Sequence, residues 1–194
     1  IGPASESLSL ISGIANDGGR FAARSGVGAV MGAKQLKAVA VRGTARVSVA
    51  DAERLKKLSK NFIDEMRAMP GFPELLLKQG TCGLTANAIA SGVTPVKNWQ
   101  LAGQQAYPGS EEFTAPESIL KYQTRKYACA NCPIGCGGIV NVNEGRYPVG
   151  ETHKPEYETI GAFGPMCLNT DTDSIFKLND MCNRSGLDTI SAGT

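Results

Sequence analysis

Three cysteines within eight residues, Cys129-Ala-Asn-Cys132-Pro-Ile-Gly-Cys136, constrain this chain more than any other segment. Thiolates bunched at C-x2-C-x3-C spacing repel one another unless a cation or a cluster takes up their charge. Pro133 and the glycines Gly135, Gly137 and Gly138 favour a tight loop over a long helix, so the three sulfurs can converge on one object. A structural zinc site and an iron–sulfur cube both usually take four protein ligands. The triplet is one ligand short. Zinc more often draws on two C-x2-C knuckles, and the remaining Cys82, Cys167 and Cys182 lie singly elsewhere. An iron–sulfur cluster with its fourth ligand outside the chain accounts best for the spacing. Zinc and plain structural thiols remain the alternatives.

Six cysteines in 194 residues are too sparse for a disulfide scaffold, so a reducing, cytoplasmic setting is expected. A formal charge of +2, with the basic residues scattered, argues against a nucleic-acid partner. No apolar run approaches the ~20 residues a membrane helix needs, and no basic-then-apolar start resembles a signal peptide. The sequence opens on Ile1 without a Met and stops at Thr194 just after a motif, so it reads as an internal fragment.

Residues 1–46 are rich in Gly, Ala and Val, and Lys37-Ala-Val-Ala-Val-Arg42 reads as a short buried strand. A boundary is expected near Thr44–Val47. Ser48 to Asp51 resembles a capping box, and Leu55, Leu58, Phe62, Met66 and Met69 then recur at helical spacing up to Pro70-Gly71. That face is expected to be core, with Arg54, Lys56, Lys57, Lys60 and Asp64 solvated opposite it. A short helix is expected from Pro73 to Leu77 and a buried one from Leu84 to Ala90. Residues 101–116 read as surface loop, Ser118 to Arg125 as helix, and Gly138 to Asn143 as a hairpin strand. Pro155 to Pro165 reads as loop. Asp171 or Thr172 would cap a helix bearing Ile175, Leu178 and Cys182, which Gly186 would end.

Three further segments carry candidate chemistry. Asn183-Arg-Ser-Gly186-Leu187-Asp188 is locally a helix end followed by a cap for the next helix, and it could equally present Asn183 and Asp188 to a heterocycle. Glu151-Thr-His153-Lys-Pro-Glu156-Tyr-Glu158 gathers three carboxylates and the sole histidine, enough for general acid–base work, although an exposed charged loop would look the same. The glycine-rich Arg24-Ser-Gly26-Val-Gly28 could cradle phosphate with backbone N–H groups, but it is neither a P-loop nor a G-x-G-x-x-G fingerprint.

Taken in order, these segments resemble the tungstopterin aldehyde:ferredoxin oxidoreductase family. The matching pieces are Ile1-Gly-Pro-Ala4, Arg24 to Gly32, Lys37 to Gly43, Thr94-Pro-Val-Lys-Asn-Trp99, the cysteine triplet, Pro155-Glu-Tyr-Glu-Thr159 and Asn183 to Ser191. The resemblance implies an α+β fold class, with 1–46 as the end of a β-rich pterin-base domain and 47–194 as the first part of a mainly helical middle domain, incomplete at both ends. It implies that Cys129, Cys132 and Cys136 bind a [4Fe-4S] cluster whose fourth cysteine lies in a third domain. Asn183, Gly186, Leu187 and Asp188 match a pterin-binding D-x-x-G-L-D turn, with Asn at its first position. Arg24, Gly26 and Gly28 match the segment near the pterin phosphates and their bridging magnesium. Glu158, then Glu156, are the choices for the glutamate beside the metal.

The implied activity is two-electron oxidation of an aldehyde to a carboxylic acid by a tungsten (or molybdenum) bis-pterin, with electrons passing through the cluster to ferredoxin. A tungsten subunit that reduces benzoyl-CoA, an acyl-CoA substrate, belongs to the same family and is the alternative. From other classes come a non-catalytic iron–sulfur electron carrier and a zinc-stabilised binding module. A homodimer stays open.

Overall fold

The structure is a computed structural model and describes residues 1–16, 18–45 and 47–194. Arg46, at the expected boundary, lies outside the described residues.

Pro3 opens a one-turn helix, α1 (Pro3–Glu6), because a residue without an N–H fits a helix start. A two-stranded antiparallel hairpin follows, β1 (Ile14–Asn16) and β2 (Arg20–Ala22), with Asn16 opposite Arg20. Helix α2 (Val27–Ala33) then packs on α1. The chain beyond it departs from the pattern its residues suggest. Lys37–Arg42 forms no strand, and Val39 and Val41 are 70% and 89% exposed. A strand needs a neighbour for its row of N–H and C=O groups. Among the described residues the contacts fixing this stretch are at Lys37, whose carbonyl accepts from the Ile1 terminus and whose ammonium pairs with Glu6.

Helix α3 (Ala52–Ala68) has the expected period, but its cap is Asp51, whose Oδ1 accepts from Arg54 N at 2.9 Å. The start of the expected capping box at Ser48 is thus three residues early. Its apolar face is not core: Leu55, Leu58 and Phe62 are all exposed. Helices α4 (Phe72–Lys78) and α5 (Thr85–Ala90) fall where periodicity and the glycine stop place them.

Residues 101–116, expected as surface loop, reach into the core. Tyr107 and Phe113 are fully buried with their rings 5.8 Å apart, and the Tyr107 hydroxyl donates to Asn169 O. The helix expected over 118–125 is split into short turns at Ala115–Ile119 and Leu120–Tyr122, followed by strand β3 (Gln123–Tyr127). Pairing with β4 (Gly137–Val142) outweighs local helical preference there. Strand β5 (Gly150–His153) completes a three-stranded antiparallel sheet in the order β3-β4-β5, with Val140 opposite Thr152.

Pro155–Pro165, expected as loop, contains the buried helix α6 (Tyr157–Phe163). Its apolar residues Ile160 and Phe163 share one core with Val140 and Val142 of β4 and with Ile175 and Phe176 of α7 (Thr172–Ser185). Asp171 caps α7 through its Oδ1, as expected, and Gly186 ends it at φ +77°. Asp188 caps α8 (Thr189–Gly193) by accepting from Ser191 N at 2.8 Å.

The N-terminal segment docks on this last turn. Gly13 N donates to Gly186 O and Asp188 N donates to Ile11 O, each at 2.9 Å, while Ser12 and Leu187 form a bridge. That seam carries β2 across to the cysteine loop.

Candidate functional site

The loop from Cys129 to Cys136 connects β3 to β4. It is turned by Cys132 N donating to Cys129 O at 3.0 Å and by left-handed Asn131 and Gly135. All three thiols are free and partly exposed. The amides of Gly135 and Ile134 favour the Cys132 thiolate and lower its pKa, whereas burial and the Glu156 carboxylate raise that of Cys136. Among the described residues no three His, Cys, Asp or Glu side chains converge as ligands of a single metal ion.

Arg20 ties this loop to the carboxylates. From β2 its Nε donates to Cys129 Sγ at 3.1 Å, its Nη2 lies 4.0 Å from Cys136 Sγ, and its Nη1 donates to Glu156 Oε1 at 2.9 Å. The guanidinium also lies over the Tyr127 ring, 5.1 Å from its centroid. Burial opposes the charge on Arg20, but the Glu156 hydrogen bond and the fields of Tyr127, Glu156 and Cys129 outweigh it and raise its pKa. The other oxygen of Glu156 accepts from the Thr81 hydroxyl, which in turn accepts from Tyr157 N at 3.0 Å. Thr81 thus supplies the side-chain cap that Glu156 does not give α6.

Behind Arg20, the Tyr127 hydroxyl and His153 Nδ1 are hydrogen-bonded at 3.0 Å. Burial, then the charges of Arg20 and Arg125, push the His153 pKa below its ordinary value. His153 O accepts from Asn179 Nδ2 at 2.8 Å, which ties β5 to α7.

These groups wall a cavity of about 320 Å³. Arg20, His153, Lys154, Glu156 and Glu158 line it together with Asn183, Leu187 and Asp188. A second cavity of about 710 Å³ shares Gly19, Phe21, Tyr127, His153 and Asn183 with it. Both fall in the size range of small-molecule and cofactor sites.

The family model described as aldehyde ferredoxin oxidoreductase, domains 2 and 3, matches residues 57–194, and that of its N-terminal domain matches residues 1–43. The chain belongs to the aldehyde ferredoxin oxidoreductase family. It is 42% identical over its whole length to a tungsten-containing aldehyde ferredoxin oxidoreductase of Pyrococcus furiosus and 41% identical to one of Thermococcus kodakarensis. It spans 31% of the length of each. Another relative, an aliphatic sulfonate oxidoreductase WOR-like subunit of Pyrococcus furiosus, is 31% identical over 87% of this chain and 26% of that protein. Among solved structures, the active-site complex BamBC of benzoyl coenzyme A reductase with 1,5-dienoyl-CoA matches all of this chain and 30% of that one, with a TM-score of 0.74 and 25% identity.

Within this aldehyde ferredoxin oxidoreductase frame, the residues expected from sequence fall into two groups. The structure brings Glu156, Glu158, Asn183, Leu187 and Asp188 to one cavity, and Arg20 connects that cavity to Cys129 and Cys136. Gly186 makes the turn that presents its neighbours. Arg24, Gly26 and Gly28 do not line the cavity. Arg24 is exposed, and a side chain on Gly26 or Gly28 would lie 2.4 Å from Leu10 O or Ser5 Oγ, so both glycines serve the packing of α2. Arg20, Thr81 and Tyr127 were not expected. Arg20 lies 109 residues from Cys129 and 136 from Glu156, and no local signal marks it.

Proposed function

We propose that this chain contributes the cluster loop and part of the metal–pterin cavity of an oxidoreductase that oxidises aldehydes to carboxylic acids and passes electrons to ferredoxin. When bound, the tungsten (or molybdenum) bis-pterin supplies two-electron redox chemistry, and the [4Fe-4S] cluster supplies one-electron transfer. Cys129, Cys132 and Cys136 would hold the cluster. The donor set fits such a group: three free thiols share one loop, amides favour the Cys132 thiolate, and a guanidinium donates to Cys129. Asn183, Leu187 and Asp188 would face the pterin. Asp188 keeps one oxygen committed to Ser191, and the turn's Gly186 carbonyl and Asp188 amide are taken up by Gly13 and Ile11, so the Asn183 carboxamide, whose Nδ2 reaches Asn179 Oδ1 at only 3.4 Å, is the freer group. Magnesium at the pterin phosphates would sit toward Arg24, Gly26 and Gly28, where the two glycines also serve the packing of α2.

The two carboxylates divide the work. Glu156 is held by Arg20 and Thr81, which suits it to fixing Arg20 rather than to moving protons. Glu158 is exposed at the start of α6, lines the cavity and has no side-chain partner among the described residues. It is the group able to accept a proton from water or a substrate adduct at its carboxylate oxygen.

The observation that carries this reading is the single cavity shared by Glu158 and the Asn183–Asp188 turn and joined by Arg20 to the cysteine loop. Metal analysis of the full-length protein tests it, followed by assay with aldehydes, benzoyl-CoA and an aliphatic sulfonate using ferredoxin or a viologen dye. Tungsten or molybdenum with iron, and turnover of an aldehyde lost in Glu158→Gln, supports it. Iron without either metal sinks the enzyme reading in favour of an electron carrier. Ring reduction of benzoyl-CoA alone moves the protein to the branch represented by the structural relative.

A further inference from the structure

Lys154 is 3% exposed and is a cation that the proposed chemistry does not use. Its Nζ donates to Gln79 O at 2.7 Å, and it forms no salt bridge among the described residues. A buried ammonium without a counter-charge is costly. Three groups that could carry negative charge are nearby, and none forms an ion pair with it among the described residues; Glu158 lines the same cavity without reaching it. Cys82 donates to the same Gln79 carbonyl at 3.2 Å, and burial pushes its thiol up to about 11, so it stays neutral. Glu156 has both oxygens occupied, by Arg20 and Thr81.

What the ammonium does approach is the back of the cysteine loop. A Cβ at Gly80 would lie 2.4 Å from Cys136 O and 2.6 Å from Lys154 Nζ, so the two atoms flank one point. Gly80 leaves room for that approach and adopts φ +77° to turn α4 toward Thr81. Lys154 N donates to Gly138 O at 2.8 Å, and its Cδ passes 3.3 Å from where a Gly138 Cβ would be. The stem therefore runs past Gly138, two residues after Cys136, and is fixed at both ends. Arg20 contacts the same loop through Cys129 and Cys136. Two cations thus approach the loop, Arg20 at its thiols and Lys154 near the Cys136 carbonyl.

We propose that Lys154 is a positioning and potential-setting residue for the group held by Cys129, Cys132 and Cys136, and that its buried charge favours that group's reduced, more negative state. This rests on the reading of those cysteines as iron–sulfur ligands. A fixed unit charge ~10 Å from a redox centre, at an effective dielectric of about 20, shifts a one-electron equilibrium roughly tenfold.

The test is an EPR-monitored redox titration, with iron content measured in parallel, on the full-length holoenzyme and on Lys154→Met, Lys154→Gln and Lys154→Arg. Loss of the charge in Met or Gln should lower the reduced-to-oxidised ratio at fixed potential about tenfold, a midpoint shift of about 59 mV for one electron. The Arg variant should stay within twofold of the wild type. Should Lys154→Met fail to retain iron, the Gln and Arg pair decides. Neutral and charged variants with full iron and equal potentials overturn the electrostatic role and leave the cluster reading intact. A wild-type protein without iron overturns both.

Discussion

Arg20 divides one guanidinium between thiols and a carboxylate, and that choice of residue has consequences. A planar fork can donate to Cys129 and Glu156 at once, 3.1 and 2.9 Å away, whereas a lysine is a single point charge. Arg20→Ala leaves Glu156 half-buried with Thr81 alone, and this should cost about 1–3 kcal/mol in urea denaturation. Arg20→Lys should recover part of that, and an Ala variant as stable as the wild type would show the bridge to be idle. His153 gives a second expectation at this scale. Its pKa is depressed first by burial, so the fold prefers the neutral ring. The stability it contributes is present above the unfolded value near 6.5 and is lost as pH falls through the lower folded value. His153 is the chain's only histidine, so one NMR ring resonance reports it. A midpoint at or above 6.5 would contradict the reading, and His153→Gln should flatten stability against pH in that window.

At the scale of elements, α6 shows how a buried helix can depend on a distant turn. Its first N–H groups need acceptors, and Thr81, 76 residues away from Tyr157, provides one while gripping Glu156. Thr81→Val keeps the shape and removes both bonds, and it should lower stability by about 1–2 kcal/mol by chemical denaturation. An unchanged midpoint would mean that water replaces the hydroxyl at no cost. The same dependence explains what the sequence could and could not reveal. The caps and stops of α7 and α8 were legible because Asp171, Gly186 and Asp188 act on their own helices. The cysteine loop was legible because its spacing is local. Helix α6 was hidden because its cap comes from Thr81 and its signal is two apolar residues, Ile160 and Phe163, beside two prolines. Strand β3 was hidden because its reason for existing is β4. Lys37–Arg42 misled because a β-rich pattern states what a segment could pair with and not whether the partner is at hand.

For the whole molecule, the decisive contact is the seam between the N-terminal segment and the turn after α7. The two family matches, 1–43 and 57–194, meet there in space although they are separated along the chain. The seam has little slack: a Cβ on Gly2 would lie 2.5 Å from Ser185 O and 2.9 Å from Gly186 N. Since the segment that makes this contact leads along the chain to β2, displacing Gly2 should move Arg20 away from the cysteines as well as the Asn183–Asp188 turn away from the cavity. Gly2→Val in the full-length protein should therefore lower the thermal midpoint by several degrees. It should also lower iron retention, though Gly2 touches neither cysteine nor carboxylate. Leu10→Ser, in the same segment but 83% exposed, should do neither. Equal thermal midpoints and equal iron content in the two variants would mean that Arg20 reaches the cysteine loop independently of the seam, and that the N-terminal segment and the cluster loop are held together by the Arg20 side chain alone.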